Sequence, residues 1–206
     1  MKTPKEIVKE GYNHLSTAYR EHFEASHTKH YPIWLRTFLQ SIPPGSRILE
    51  LGCADGIPVA QRLSATYAYW GVDISPVQIK QARLQVPEGY FEVADMTELS
   101  FPVDSFQGIV ALYSIIHVPV EQQPALIRSL YQWLAVGGSL LCTVGTAEWT
   151  GTESNWIVPG TSMYWSHTDT PTYLQWFSSA GFTIIDKQFV PEGEGGHTLL
   201  LARKDR

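Results

Sequence analysis

The nine residues Ile48-Leu49-Glu50-Leu51-Gly52-Cys53-Ala54-Asp55-Gly56 constrain the fold more than any other part of the chain. An apolar run of β type ends in a turn punctuated by Gly52 and Gly56. Pro58 to Leu63 then opens as a helix, where the missing proline N–H costs nothing. The same grammar follows at once. Tyr67 to Val72 reads as a strand, Ser75 as an N-cap and Pro76 as the first residue of a helix to about Leu84.

Downstream, Tyr90 to Val93 is short and β-like. Phe106 to Tyr113 is a near-continuous apolar strand, Glu121 to Leu134 is helical up to Gly137-Gly138, and Ser139 to Val144 is another buried strand. Continuous apolar runs alternating with helices predict a parallel α/β sheet. Thr170-Pro171 begins a helix closed by Gly181. Phe182 to Val190 and His197 to Ala202 then form an antiparallel hairpin at the sheet edge, joined by Pro191 to Gly196. At the other end, residues 5 to 41 carry Tyr12, Leu15, Tyr19, Phe23, Trp34, Leu35 and Phe38 at helical spacing. They predict two amphipathic helices broken near Ser26-His27-Thr28.

With 206 residues, one domain is expected, with residues 1–41 as a helical cap and 145–170 as an insertion. Lys plus Arg number 15 against 20 Asp plus Glu, a net charge of -5, and there is no basic stripe, so a nucleic-acid partner is not expected. The start is polar and no run reaches the roughly 18 to 20 apolar residues of a membrane span. Cys53 and Cys142 give neither zinc spacing nor a disulfide framework. A cytoplasmic protein with free thiols and no membrane contact is expected.

The turn after the first strand faces the crevice above the sheet's carboxyl edge, where such folds bind ligands. Gly52 and Gly56 allow close backbone approach, and Asp73, 21 positions after Gly52, can accept both hydroxyls of a ribose. A dinucleotide fingerprint needs G-x-G-x-x-G, but the corresponding positions are Gly52, Ala54 and Ile57. Glu50 and Asp55 disfavour a phosphate here and favour a cationic group. The residues thus predict a nucleoside ligand with a positively charged amino-acid end.

On Glu50 to Gly56, Val72 to Pro76, Ala94-Asp95-Met96 and Phe101 to Phe106, the chain resembles a class I S-adenosylmethionine-dependent methyltransferase from about Ser46 to Val144. Ala54 stands where the commoner family form has glycine. The resemblance implies a Rossmann-like α/β fold with seven strands in the order 3-2-1-4-5-7-6, the seventh antiparallel, and helices on both faces. It implies S-adenosyl-L-methionine as cofactor and S-adenosyl-L-homocysteine as product. Glu50 and the backbone of Gly52 and Cys53 would border the methionine end, Asp73 would hold the ribose and Ile74 would flank the adenine. Asp95 would accept from the adenine amino group, the Met96 N–H would face the ring, and the Tyr113 backbone would lie near the cofactor amino group.

Methyl transfer needs a nucleophile held in line with the methyl group, and often a base. His117, just after the fourth strand, is the first candidate for base or orienter, and His167 is the second; His117 also reads as a packing residue. The insertion carries Trp149, Trp156, Met163, Tyr164 and Trp165, which read as the lining of an aromatic acceptor site or as a packed cover. Tyr12 and Tyr19, a heptad apart, can face the same groove. His22, His27 and His30 lack companion ligands, so no metal is expected.

The leading expectation is an enzyme methylating a small apolar or aromatic metabolite, at oxygen or nitrogen by preference, acting as a monomer or homodimer. A non-catalytic S-adenosylmethionine-binding or regulatory protein is the alternative. An RNA or protein methyltransferase and an NAD-dependent oxidoreductase lie further off.

Overall fold

A computed structural model describes residues 2–15, 18–23, 30–193 and 195–206. Seven strands make the main sheet: β1 (Arg47–Leu51), β2 (Ala68–Asp73), β3 (Tyr90–Val93), β4 (Phe106–Ala111), β5 (Leu134–Gly145), β8 (Phe182–Glu192) and β9 (Gly195–Lys204). Their order is β3-β2-β1-β4-β5-β9-β8. Counted within this sheet alone, that is the expected 3-2-1-4-5-7-6. Neighbours from β3 to β5 pair in parallel, whereas β9 runs antiparallel to both β5 and β8.

Alternation along β1 explains why both faces are covered. Leu49 and Leu51 join Ile109, Ile127, Leu130 and Phe177 in one core, while Ile48 joins Phe38, Val110, Leu141 and Ile79 in another. Helices α6 (Gln123–Trp133) and α7 (Thr170–Ala180) serve the first face. The second is served by α3 (Tyr31–Leu39), α4 (Val59–Leu63) and α5 (Pro76–Gln85). The strand order reverses between β1 and β4, so a crevice opens at their carboxyl ends.

Ser75 caps α5 as its sequence predicts: the hydroxyl accepts from Gln78 N at 3.1 Å and donates to Asn13 Oδ1 at 2.7 Å. Because it is fully buried, Ser75→Ala should cost about 1–2 kcal/mol in urea unfolding, with no change in the slope of the transition.

Three elements differ from expectation. The N-terminal region holds three described helices rather than two: α1 (Pro4–Leu15), α2 (Ala18–Phe23) and α3. The break placed at Ser26-His27-Thr28 lies outside the described residues, as does His27. Gly137-Gly138 does not stop α6. Leu134 is already extended, and the glycines lie inside β5 where its register with β4 shifts between Phe106 and Gly108; Gly137 has φ 81. The insertion is a second sheet of β6 (Trp149–Ser154) and β7 (Ser162–His167), paired antiparallel. Gly11 of α1 lets that helix close on β7, since a Cβ there would stand 2.6 Å from the Ser162 carbonyl oxygen. Among the described residues, no helix is long and apolar enough to cross a membrane.

Candidate active site

The loop after β1 is held from below. The Val72 carbonyl accepts from both Gly52 N, at 2.8 Å, and Cys53 N, at 3.0 Å, while Gly56 N closes the turn on Cys53 O. The amides that a phosphate would need are therefore already engaged. Gly52 has φ 78, and a Cβ there would stand 2.4 Å from Ser114 Cβ, so β1 and β4 approach at a point that only glycine fits. Ala54 has φ 46, the left-handed region that explains why glycine is the commoner residue there.

A cleft of about 710 Å³ lies over this loop, bordered by Gly52, Ala54, Asp73, Ile74, Asp95 and Met96, with Tyr113 and His117 beyond. Asp73, at the end of β2, accepts from Ser75 N at 2.8 Å through Oδ1 and from Ala54 N at 3.0 Å through Oδ2. Burial raises its pKa to about 6 against the pull of these amides. Asp95 accepts from Thr97 through Oδ1, and its Oδ2 forms an ion pair with Lys5 of α1 at 2.5 Å. Half-burial pushes this carboxyl up, but Lys5 and Thr97 outweigh it and the pKa is lowered. Lys5 and Asp95 thus clasp α1 to the edge of the cleft.

A second hollow of about 610 Å³ shares Tyr19, Gly52, Ala54 and Leu112 with the first and adds Arg20, Glu50, Cys53 and Asp55. Glu50 is buried and accepts from the Tyr69 hydroxyl; burial lifts its pKa to about 8. Burial, with the charges of Asp73 and Glu50, pushes the Cys53 thiol up as well. Asp55 faces Arg20 Nε at 3.1 Å. Asp55 is thus matched by a cation of the chain itself, and the expected preference for a cationic ligand falls to Glu50. An acid and a guanidinium bordering one hollow suit a zwitterionic amino-acid end. Gly56 shapes the turn from outside both hollows.

A small cavity adjoins the main cleft at Tyr12, Tyr19, Tyr113 and His117; Trp156, Trp165, Glu192 and His197 complete it. His117 Nδ1 donates to the Tyr164 carbonyl at 2.8 Å, so Nε2 accepts from the Tyr12 hydroxyl at 2.9 Å. The His117 ring lies 4.4 Å from that of Trp165, and Tyr12 stands edge-on to Tyr19 at 5.3 Å. Burial lowers the His117 pKa to about 4 and holds the Tyr12 and Tyr19 hydroxyls protonated. We expect an NMR titration of His117 to show no transition near 6.5. Its folded pKa lies below the unfolded one, so it contributes stability that is lost as pH falls from about 6.5 toward 4; a normal transition would show the ring to be hydrated.

The other predicted acceptor-site residues separate. His167 donates through Nδ1 to the Ala147 carbonyl at 2.6 Å, outside the cavity, and Trp149 is exposed beside it. Met163 is buried against Gly11, and Tyr164 contributes its carbonyl to His117. Sequence reasoning missed Lys5, Arg20, Glu192 and His197. The first two are helix-surface charges by pattern. The last two belong to a strand pair whose register no motif marks.

Residues 48–138 match the family described as a methyltransferase domain. Phosphoethanolamine N-methyltransferase 3 of Arabidopsis thaliana is 33% identical over 110 residues, which cover 50% of this chain and 21% of that protein. The tRNA (carboxymethyluridine(34)-5-O)-methyltransferase of the same plant is 27% identical over 177 residues, covering 79% of this chain and 43% of that one. The chain thus spans less than half the length of either. The crystal structure of magnesium protoporphyrin IX methyltransferase from Synechocystis PCC 6803 with bound SAH superposes with a TM-score of 0.72 at 18% identity, covering 98% of this chain and 100% of that one. By its sheet order and this superposition, the chain has the fold of class I S-adenosylmethionine-dependent methyltransferases.

Proposed function

We propose that this protein binds S-adenosyl-L-methionine along the two hollows and transfers its methyl group to a small organic metabolite held in the aromatic cavity. One observation carries the reading: the cleft at Asp73 and the cavity at His117 share the walls formed by Tyr12, Tyr19, Tyr113 and His117. The bound cofactor supplies a methyl group made electrophilic by its sulfonium.

The chain's own residues do the rest. Asp73 borders the cleft and offers its carboxylate to the ribose hydroxyls. Asp95, Met96 and Ile74 border the adenine side, and Glu50 and Arg20 take the amino and carboxylate groups of the methionine end. The bond from Tyr12 to His117 fixes both rings, so the pair orients the acceptor and seals the cavity from water; His117, neutral with its Nε2 occupied, positions rather than deprotonates. A cavity this small admits the reacting group of a metabolite rather than a large ring system. The aromatic lining and the net charge of -5 favour such a substrate over RNA.

Calorimetry with S-adenosylhomocysteine tests the site, and transfer of labelled methyl from S-adenosylmethionine to a panel of small acceptors tests the reaction. Micromolar binding with turnover is expected. Binding without turnover on any acceptor would favour a regulatory protein, and no binding would refute the reading.

A further inference from the structure

The cavity beyond His117 has a charge pattern that distinguishes between acceptor atoms. Its walls are the rings of Tyr12, Tyr19, Tyr113, Trp156 and Trp165, and among the described residues its lining includes one carboxylate, Glu192, but no lysine or arginine. Trp156 stands 6.0 Å from both Tyr12 and Tyr19 and 5.2 Å from Trp165, so these rings enclose one space. Ring faces and a carboxylate attract a cation and repel an anion. A phenolate or carboxylate would meet Glu192 here, with no lysine or arginine among the described lining residues to balance it. An amine gains positive charge as it accepts a methyl group, and this cavity stabilises that charge.

The cavity also contains a base that the sequence did not mark. Glu192 and His197 come from the closing end of the β8–β9 hairpin. His197 pairs across the sheet with Gly145 at the end of β5, which brings its ring to 5.2 Å from that of Tyr113. His197 Nε2 lies 2.9 Å from Glu192 Oε2. With the proton on Nε2, on the side of the carboxylate, Nδ1 is left with a lone pair. Nδ1 is buried and has no hydrogen-bond partner among the described residues. A buried, unused lone pair needs a donor, and an ammonium N–H is one.

We propose that the acceptor is a small primary or secondary amine, held as ammonium by the aromatic walls and Glu192, with His197 as the base that frees its lone pair. This rests on the methyl-transfer reading above. The ammonium gives one proton to His197 Nδ1. The nitrogen pair then forms the new N–C bond to the methyl carbon, while the methyl–sulfur bonding pair stays on sulfur as a neutral thioether. The positive charge leaves sulfur and ends on the methylated nitrogen, inside the ring walls.

Two probes test this on the full chain, with S-adenosylhomocysteine calorimetry as the check that each protein is folded and its cofactor site intact. Tetramethylammonium, followed by NMR line broadening of its methyl signal, should bind the native protein. Its affinity should fall about tenfold in Glu192→Gln and in Trp156→Leu, the change expected for one charge or one desolvated ring. In His197→Gln, tetramethylammonium should still bind, while methyl transfer to ethylamine should drop about 100-fold or more. Native protein that binds S-adenosylhomocysteine but not tetramethylammonium, or that methylates phenols in preference to amines, overturns the amine assignment and leaves the methyltransferase reading standing. Unchanged transfer in His197→Gln overturns the base. Native protein that binds neither probe overturns both readings.

Discussion

Asp73→Ala should weaken S-adenosylmethionine and S-adenosylhomocysteine binding by roughly 30- to 1,000-fold, the largest loss expected from any single side chain at the cleft. The carboxylate already accepts backbone N–H groups, from Ser75 through Oδ1 and from Ala54 through Oδ2, and it borders the cleft, where its remaining acceptor capacity can meet a ribose. Two charge-assisted bonds to a ribose at about 1.5–3 kcal/mol each set the scale, reduced because the variant cleft can admit water. The same substitution releases Ala54, whose φ of 46 is maintained partly by that bond. Burial lifts the pKa of Asp73 to about 6, so native affinity should also decline below that pH as the carboxylate takes a proton. In the unliganded fold the sign is reversed. A raised carboxyl pKa contributes stability that is present below the unfolded value near 3.8 and lost as pH rises through about 6. Asp73→Ala should therefore lose binding without a matching loss of stability at pH 7, and calorimetry paired with urea unfolding separates the two. Equal binding in native and variant protein would place the nucleoside elsewhere.

Much of this arrangement was legible because a buried parallel sheet writes itself into consecutive apolar residues. The run Ile48 to Leu51, the cap at Ser75 and the left-handed stop at Gly181 (φ 108) are local signals, and the structure places each at its expected element end. The grouping of Asp73, Ile74, Asp95 and Met96 around one cleft follows from the ends of neighbouring strands, which topology puts side by side. Long-range register was not legible. Nothing local announces that Glu192 lies diagonally across a strand pair from His197, or that Gly145 brings that histidine to the carboxyl edge. The aromatic insertion misled for a related reason. Trp149, Trp156 and Trp165 look alike in sequence, but Trp149 on β6 is exposed, while Trp165 on β7 and Trp156 in the turn between the strands line the cavity. The partner of Asp55, Arg20, was not legible because it arrives from a helix that carries no motif.

Glu50→Gln should move stability and binding in opposite directions. In the unliganded protein Glu50 is buried, accepts from the Tyr69 hydroxyl and has no ion pair among the described residues; burial raises its pKa from 4.5 to about 8. A carboxyl pKa raised on folding contributes stability that is fully present below about 4.5 and lost as pH climbs through 8. Glutamine has nearly the same shape, still accepts from Tyr69 and never ionises. The variant should therefore be more stable than the native protein at pH 8, by about 1–3 kcal/mol, with the difference shrinking to nothing or reversing at pH 5. S-adenosylmethionine carries positive charge into this hollow, where an ionised Glu50 would oppose it, so the same change should weaken its binding tenfold or more. Binding by the native protein should also release a proton near pH 7, seen as a dependence of the calorimetric enthalpy on buffer ionisation that vanishes in the variant. If Glu50→Gln is equally destabilised at pH 5 and pH 8, the carboxyl is a structural acceptor for Tyr69 and the cationic end binds elsewhere. If the predicted crossing is seen, the chain holds a buried acid at a cost in stability because its ligand brings the missing charge.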